Sequence, residues 1–235
     1  MSSNDTPPEP KKRGLVPGRG DATTDEVYTP RWLARKVASH FPVSGLVMEP
    51  CLGAGSFAIE LADKPEVDRV AVCNLVEPLV RLPMTGKVKG KIKQAGGDFL
   101  QWQPAATQRP DWVMTNPPWS LLLEFLKHSM TVANDVVFLC LVPAAFQKAK
   151  LRAAREAGFR MRKIVFLPEP RTPWPPAGFA LGAVHWSRMT AAELKNPDKP
   201  YKVEMVYDQE TDTLEYEPEF GYPPITGKVR ARKKL

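Results

Sequence analysis

The stretch Asp111-Trp-Val-Met-Thr-Asn-Pro-Pro-Trp119 runs from apolar residues into two consecutive prolines. The apolar part predicts a short buried strand. Proline lacks the backbone N–H that a sheet ladder needs, and its ring holds φ near −65°, so the strand must end at Asn116 and continue as a stiff loop. The other motifs of the chain can be arranged around this strand and its loop.

This loop presents two hydrogen-bond acceptors and one flat aromatic face. The acceptors are the side-chain carbonyl of Asn116 and the backbone carbonyl of Pro117, Pro118 stiffens the loop, and Trp119 supplies the aromatic face. A planar ring that carries an exocyclic amino group fits this arrangement. The alternative is a plain turn, in which Asn-Pro-Pro only redirects the chain and Trp119 covers the sheet edge.

A glycine-containing loop lies upstream, in Pro50-Cys-Leu-Gly-Ala-Gly-Ser-Phe57. It follows a predicted strand over residues 46–49, which ends in Glu49, and it precedes a predicted helix. Gly53 and Gly55 permit a tight turn and the close approach of a ligand to the backbone, and the helix start offers free amide groups. The loop therefore indicates a ligand site, although an ordinary strand-to-helix turn uses the same glycines.

An acidic residue follows the next predicted strand. That strand covers the β-branched run of residues 69–76, and Glu77 comes after it, about twenty residues beyond the glycines. Doubly wound folds place an acid there to bind ribose hydroxyls, because the carboxyl end of the second strand lies beside the ligand. Glu77 is therefore predicted to bind a ribose. An exposed acid at the end of a strand is the alternative.

The segment Tyr28-Thr29-Pro30 predicts the start of a helix. Thr29 is a favourable capping residue and Pro30 suits the first helical position, and apolar residues follow at helical spacing as far as Phe41. A threonine hydroxyl at a helix start can also hold a carboxylate. Thr29 is therefore a candidate for ligand binding as well as for capping.

The remaining predicted elements are one amphipathic helix, a basic helix that follows residues 143–146 and ends at about residue 157, and four strands. The amphipathic helix covers about residues 120–132, with Leu121, Leu122, Phe125 and Met130 on its packed face. The strands cover residues 91–95, 136–142, 160–167 and 179–187. A proline-rich loop joins the last two strands, and this close return indicates an antiparallel hairpin.

The order of these motifs, over roughly residues 25–188, resembles that of the S-adenosylmethionine-dependent adenine-N6 DNA methyltransferases. The resemblance implies a class I methyltransferase fold: an α/β, Rossmann-like, mostly parallel seven-stranded sheet with a terminal antiparallel hairpin and helices on both faces. It also implies S-adenosyl-L-methionine as the methyl-donating cofactor. The implied enzyme is a site-specific, adenine-specific DNA methyltransferase, which methylates the exocyclic amino group of adenine.

The resemblance also assigns roles to single residues. Thr29 would contact the methionine part of the donor, and Glu49 would pair with its amino group. Asp98 would accept a hydrogen bond from the donor adenine, Phe99 would cover that ring, and Phe179 would form a second aromatic wall for the substrate base. The rest of the donor site would comprise Gly53, Gly55 and Glu77. A capping role for Asp98 and ordinary packed positions for Phe99 and Phe179 are the alternatives.

The aromatic residue of the acceptor loop departs from the family pattern. The DNA enzymes with this motif order usually carry Tyr or Phe where this chain has Trp119, and Trp is familiar among RNA adenine methyltransferases. RNA therefore stays open as the substrate. Protein glutamine methyltransferases also share the Asn-Pro-Pro-aromatic loop, because a side-chain amide presents the same NH2 geometry. A non-catalytic nucleic-acid-binding subunit on this fold is a further alternative.

Positive charge is concentrated in two segments of a chain whose formal net charge is +7. Residues 228–235 carry five Lys or Arg and no acid, residues 148–163 carry seven against one acid, and residues 204–219 hold seven acids and no base. Such clusters indicate a polyanionic partner, because nucleic-acid affinity is largely phosphate neutralisation. Lys148, Lys150 and Arg152 are therefore predicted to contact nucleic acid. A solvated helix face and a solubilising tail are the alternative.

Composition predicts one folded domain with two tails. Residues 1–24 lack the apolar content to pack and are predicted to form a disordered tail. Residues 25–188 would form the methyltransferase domain. Residues 189–235 would form a C-terminal extension, with a surface hairpin built from residues 201–207 and 213–217 and a basic tail after it.

The spacing of Cys51, Cys73 and Cys140 predicts buried thiols, not disulfides or metal ligands, and the scattered histidines indicate no metal site. No stretch is apolar and long enough to predict a membrane span, and the N-terminus does not read as a signal peptide. We therefore expect a cytoplasmic protein with no metal and no membrane partner. The sequence predicts no oligomeric state.

Overall fold

The structure is a computed structural model that describes residues 28–73, 88–170 and 178–209. The strands are β1 (Gly45–Glu49), β2 (Val67–Cys73), β3 (Ile92–Gly96), β4 (Trp112–Thr115), β5 (Asp135–Leu141), β6 (Phe159–Leu167), β7 (Leu181–Arg188) and β8 (Glu204–Tyr207). The helices are α1 (Arg31–Ser39), α2 (Ser56–Asp63), α3 (Val88–Lys91), α4 (Leu122–Val132), α5 (Val142–Ala145), α6 (Lys148–Glu156) and α7 (Ala191–Lys195). The tails predicted for residues 1–24 and 228–235 lie outside the described residues.

The described strands form one sheet in the order β3-β2-β1-β4-β5-β7-β6-β8. The first five strands in this order are parallel, whereas β7 runs antiparallel to both β5 and β6. The predicted mostly parallel sheet with an antiparallel hairpin is confirmed. The strand order reverses its direction between β1 and β4, and ligands of open α/β sheets bind outside the carboxyl ends of the strands at such a switch point.

An eighth strand extends the sheet beyond the seven that were predicted. Residues 204–207, which were expected in a surface hairpin, pair in parallel with β6. The ring of Tyr207 stacks on that of Phe166, with 4.5 Å between their centroids. The pairing with β6 was not predicted, because alternating apolar residues predict a strand without predicting its partner; the hairpin with residues 213–217 stays a prediction. The second half of that hairpin, residues 213–217, lies outside the described residues.

Helices cover both faces of the sheet. On one face, α1 and α2 contribute to a core that includes Leu33, Val37, Phe57 and Leu61. On the other face, α4 and α6 contribute to a core that includes Phe125, Leu126, Met130 and Ala154. Residues 136–140 of the central strand β5 are all apolar and buried, as expected for a strand that is covered on both faces. Within the described part of the chain, no helix is long and apolar enough to cross a membrane.

Two expectations about helix starts need correction. The first is the cap of α1, whose N-cap residue is Pro30 without a side-chain cap bond, so Thr29 does not cap this helix. The second concerns Leu121, which was predicted on the packed face of α4 but is 37% exposed. A 3-10 turn over Trp119–Leu121 precedes α4, and the buried stripe begins only at Leu122.

Side-chain ion pairs hold α1 in place. Arg35 pairs with Glu60 of α2 at 3.0 Å, and Arg31 also donates to this carboxylate, which is 7% exposed. Lys36 pairs with Asp208, just after β8, at 2.6 Å. These contacts connect α1 to its neighbouring helix and to the edge of the sheet. They therefore fix the start of α1 and, with it, Thr29 in the segment just before that helix.

Candidate active site

The candidate site lies at the carboxyl ends of β1 and β4, which are adjacent parallel strands. Glu49 is the last residue of β1, and Asn116 follows the last residue of β4. Thr29 reaches the same place from the segment before α1, since its hydroxyl accepts a hydrogen bond from Asn116 Nδ2 at 3.2 Å. The structure therefore brings together three residues that the sequence singled out in three separate motifs.

The side-chain amide of Asn116 is held in one orientation. The indole Nε1–H of Trp119 donates to Asn116 Oδ1 at 3.1 Å, and an indole nitrogen is only ever a donor. The atom that it meets must therefore be the amide oxygen, and the amide nitrogen must face Thr29. Because an amide oxygen can accept two hydrogen bonds, the indole contact is compatible with a second donor at Oδ1.

The loop after Asn116 packs against the body of the domain. Pro117 is buried, and Pro118 is the N-cap of the 3-10 turn that begins at Trp119. The carbonyl of Pro118 accepts from the backbone N–H of Leu121 at 3.0 Å. Trp119 is half-buried and packs against both core clusters, so its ring is anchored by the body of the domain.

The glycine loop lies directly beneath Tyr28. Gly53 has φ 49° and Gly55 has φ 83°, values that favour glycine. A Cβ atom on Gly53 would lie 2.9 Å from the ring of Tyr28, so a side chain there would displace the segment that carries Thr29. Both glycines are therefore required by the local geometry, and the loop connects β1 to α2 as predicted.

Glu49 is a buried carboxylate with two hydrogen-bond donors on one oxygen. Its Oε1 accepts from Thr115 Oγ1 at 2.5 Å and from the backbone N–H of Cys51 at 2.8 Å, and the residue is 1% exposed. Burial is the main effect and raises the pKa of Glu49 from 4.5 to about 8, although both hydrogen bonds act to lower it. At neutral pH a buried carboxyl with this pKa is largely protonated, and a cation that approaches it favours the ionised form.

Asp98 and Phe99 follow β3 and open a 3-10 turn. Asp98 caps the turn by accepting from Leu100 N at 2.9 Å, and its other oxygen accepts from Gln101 Nε2 at 2.9 Å. The ring of Phe99 is 2% exposed and packs edge-on against His128, with 4.7 Å between centroids. Asp98 thus acts as a cap and Phe99 as a core residue, and their roles toward a donor adenine stay predictions.

Glu77 and Phe179 are the other two predicted site residues. Glu77 lies outside the described residues, so its ribose-binding role stays a prediction. Phe179 is 57% exposed and directly precedes Ala180, whose carbonyl accepts from the backbone N–H of Val142 at 2.8 Å. This contact places Phe179 near the carboxyl end of β5, on the same edge of the sheet as the Asn116 loop.

The basic helix α6 presents only part of its charge to solvent. Lys148 and Arg152 are exposed, and with Arg155 they follow the spacing of one helix face. Lys150 is 7% exposed, and its ammonium donates to Gln147 Oε1 at 2.6 Å. Burial lowers the pKa of Lys150. Lys150 is therefore not part of the exposed basic face with which it was grouped.

Sequence reasoning missed the contributions of Thr115 and Tyr28. Thr115 is 0% exposed, and its hydroxyl connects the end of β4 to Glu49. A polar residue in the otherwise apolar β4, directly before Asn116, was the available signal. Tyr28 was quoted only as part of a helix start, and nothing in the sequence indicates that its ring covers Gly53. Among the described residues, no cluster of His, Cys, Asp or Glu could hold a metal ion.

Neither a protein-family model nor a curated protein matches this sequence, but solved structures do. A structure from Listeria monocytogenes, assigned as a class I S-adenosylmethionine-dependent methyltransferase, aligns with a TM-score of 0.55 and 11% identity, over 83% of this chain and 68% of that one. An assigned RNA methyltransferase of Pyrococcus horikoshii aligns with a TM-score of 0.52 and 20% identity, over 69% of this chain and 81% of that one.

A third similar structure contains the methyl donor. It is an assigned tRNA (m1A22) methyltransferase of Streptococcus pneumoniae in complex with S-adenosyl-L-methionine, with a TM-score of 0.51 and 14% identity, over 70% of this chain and 77% of that one. The shared feature of the three structures is the fold. The chain therefore has the class I methyltransferase fold that the resemblance implied.

Proposed function

We propose that this protein transfers a methyl group from S-adenosylmethionine to the exocyclic amino group of adenine in DNA. The observation that carries the proposal is the fixed orientation of Asn116, whose amide is held by Thr29 on one side and Trp119 on the other. This orientation holds a hydrogen-bond acceptor at the switch point of a class I methyltransferase fold, where an amino group would have to be presented.

The donor half of the proposed site fits a cationic nucleoside ligand. Glu49 is buried beside the glycine loop, and the ammonium group of the donor would offset the cost of ionising its carboxyl. Gly53 and Gly55 have the positive φ values of a tight loop after β1, and Asp98 follows β3 on the same edge of the sheet. Bound S-adenosylmethionine would supply an electrophilic methyl group. Glu77 is proposed to complete this half by binding the ribose.

The acceptor half of the site would act by positioning the amino group of the substrate base. An aromatic amine is a poor nucleophile because its lone pair is delocalised into the ring. Hydrogen bonds from the amino group to Asn116 Oδ1 and to the carbonyl of Pro117 would favour a pyramidal nitrogen, with its lone pair directed at the methyl group. Correct positioning can contribute several kcal/mol to catalysis. The amino group loses its proton after the transfer, so the proposed site needs no base to act before attack.

A target base in duplex DNA would have to leave the stack, at a cost of a few kcal/mol. Trp119 is proposed to offset that cost, since stacking of a base on an aromatic ring contributes about 1–3 kcal/mol. Exposed Phe179 would form the second aromatic wall. Lys148 and Arg152 would neutralise backbone phosphates from the exposed face of α6.

RNA is the second candidate substrate, and one observation favours it. Trp119 stands where Tyr or Phe is usual in the DNA enzymes with this motif order, and Trp is familiar among RNA adenine methyltransferases. Two of the similar solved structures are also assigned to RNA methylation, although at their identities only the fold is comparable. A protein glutamine methyltransferase would not need an exposed basic face.

The proposal is tested by incubating the purified protein with isotope-labelled S-adenosylmethionine and either duplex DNA or RNA, followed by mass analysis of the nucleosides. We expect label in N6-methyladenine from DNA and none from the Asn116→Ala variant. If label appeared only in RNA, then RNA and not DNA would be the substrate. Label in another nucleoside, or equal label from the variant, would refute the proposed chemistry.

A further inference from the structure

A buried hydroxyl connects the two halves of the proposed site. Thr115 is the last residue of β4 and is 0% exposed, and its Oγ1 donates to Glu49 Oε1 at 2.5 Å. The other residues of β4 are the apolar Trp112, Val113 and Met114. A buried hydroxyl costs free energy unless it is hydrogen-bonded, and the partner here is the carboxyl at the end of the neighbouring strand.

This hydrogen bond acts next to the acceptor loop. Asn116 directly follows Thr115 in the chain, and its side chain is held separately by Thr29. The backbone that enters the Asn-Pro-Pro loop is therefore fixed by Glu49, while the amide of Asn116 is fixed by the segment before α1. A shift of the Glu49 carboxyl would act on the start of the loop, because Thr115 is hydrogen-bonded to it and directly precedes Asn116.

The strength of this contact depends on the charge of Glu49. A hydroxyl donates a hydrogen bond to an ionised carboxylate about twice as strongly as to a neutral group. Burial raises the pKa of Glu49 to about 8, so the carboxyl is largely protonated in the free protein at neutral pH. The nearby titratable groups, the thiols of Cys51 and Cys73, have pKa values that burial also raises, and they therefore add no charge at that pH.

We propose that Thr115 is a positioning residue that couples the donor site to the acceptor loop, an inference that rests on the proposed function. A cation bound at Glu49 ionises the carboxyl, the Thr115 hydrogen bond strengthens, and the entry to the Asn116 loop becomes better defined. Donor binding thereby favours acceptor binding. Because coupling between two sites is reciprocal, acceptor binding favours donor binding by the same factor.

The test compares Thr115→Val, which keeps the volume and removes the donor, with Thr115→Ser, which keeps a hydroxyl. Ser129→Ala is the matched control, since Ser129 is 0% exposed and its hydroxyl has no hydrogen-bond partner among the described residues. The first measurement is the calorimetric affinity for S-adenosylhomocysteine with and without an adenine-containing oligonucleotide. The second is the melting temperature of the ligand-free protein between pH 5 and 9.5.

We expect the oligonucleotide to raise the affinity of the parent about fivefold or more. The Ser variant and the Ser129→Ala control should keep this gain, and the Val variant should lose it. In the ligand-free protein, removal of the Thr115 donor should raise the pH at which Glu49 titrates by about one unit, a tenfold change in proton affinity. If Thr115 acted through packing alone, its replacement would not change the pH at which Glu49 titrates.

The outcomes separate this inference from the proposed function. If the parent does not bind S-adenosylhomocysteine, the proposed function fails and the coupling fails with it. If the parent binds it and the Val variant keeps the full gain, only the coupling is refuted. An equal loss of the gain in the Ser129→Ala control would also refute it, because the effect would then follow from the removal of any buried hydroxyl.

Discussion

Replacement of Glu49 by Gln should make the ligand-free protein more stable at alkaline pH and should weaken donor binding. Glutamine keeps the shape of the side chain and an acceptor oxygen for Thr115 and for the Cys51 amide, but it cannot ionise. Glu49 is 1% exposed, so the parent must place a charge in the interior when the carboxyl loses its proton. The variant avoids this cost.

The size of the effect follows from the pKa of Glu49. Burial raises it from 4.5 to about 8 in the folded protein, so the folded state holds this proton more tightly than the unfolded chain. As pH rises from 4.5 to about 8, the unfolded chain ionises first, and the parent loses stability throughout that window. At about 1.4 kcal/mol per tenfold change in proton affinity, the upper bound on the loss is about 5 kcal/mol.

The assay is thermal unfolding of parent and Glu49→Gln from pH 5 to pH 9.5. The two proteins should melt close together at pH 5, and the variant should melt higher at pH 9, by about 2–4 °C for each kcal/mol in a domain of this size. Burial also raises the pKa values of the Cys51 and Cys73 thiols, so both proteins lose stability as the unfolded thiols ionise near pH 9, and this shared loss does not account for a difference between them.

Glu60→Gln is the matched control, since Glu60 is also a buried carboxylate but pairs with Arg31 and Arg35. Its replacement should lower the melting temperature, because the buried side chain then loses its charge-assisted hydrogen bonds to Arg31 and Arg35. The Glu49 variant should also bind S-adenosylhomocysteine about tenfold or more weakly, since a hydrogen bond to a charged partner is lost. A Glu49→Gln protein that is no more stable than the parent at pH 9 would refute the reasoning.

The remaining predictions concern the acceptor loop and the basic helix. Trp119→Phe should lower kcat about 2–10-fold in steady-state assays, because Asn116 Oδ1 loses the hydrogen bond from the indole, which has a net value of about 0.5–1.5 kcal/mol. An unchanged kcat would show that the indole N–H does not orient Asn116 for catalysis. Asn116→Ala should abolish turnover and leave the calorimetric affinity for S-adenosylhomocysteine within about twofold of the parent, and an equal loss of both would contradict its acceptor role. Lys148→Ala and Arg152→Ala should each lower the salt slope of duplex DNA binding by about 0.9 per lost phosphate contact. Lys150→Ala should leave that slope unchanged and lower the melting temperature instead, because its ammonium is buried against Gln147; a lowered slope would show that Lys150 reaches phosphate.

The strand ends of the site were predictable because they depend on local chemistry. Proline ends β4 after Thr115, and the glycines end the extended chain after Glu49, so both boundaries can be read from the sequence. In a parallel sheet the carboxyl ends lie on one edge. Residues at these ends, such as Glu49 and Asn116, could therefore be assigned to one region before any contact was known.

The long-range contacts could not be predicted in the same way. Thr29 has the sequence of a helix cap, but its hydroxyl accepts from Asn116 across 87 positions of the chain. Lys150 belongs to a charged segment, yet the rotation of α6 against the sheet turns its ammonium inward. β8 has a strand pattern that does not specify its partner. In each case the outcome depends on the packing of two distant segments, which the local pattern does not contain.

The orientation of Asn116 also limits which bases the proposed site can accept. Trp119 holds Oδ1 as an acceptor, so a base that presents a carbonyl at this point would bring two acceptors together with no proton between them. A site built to accept hydrogen bonds from an amino group discriminates strongly against a substrate that lacks one, because its own polar atoms stay unpaired. Adenine, cytosine and guanine all carry such a group, and Asn116 alone does not separate them. The choice between a two-ring and a one-ring base must then depend on the apolar walls, where Trp119 is half-buried and Phe179 is 57% exposed.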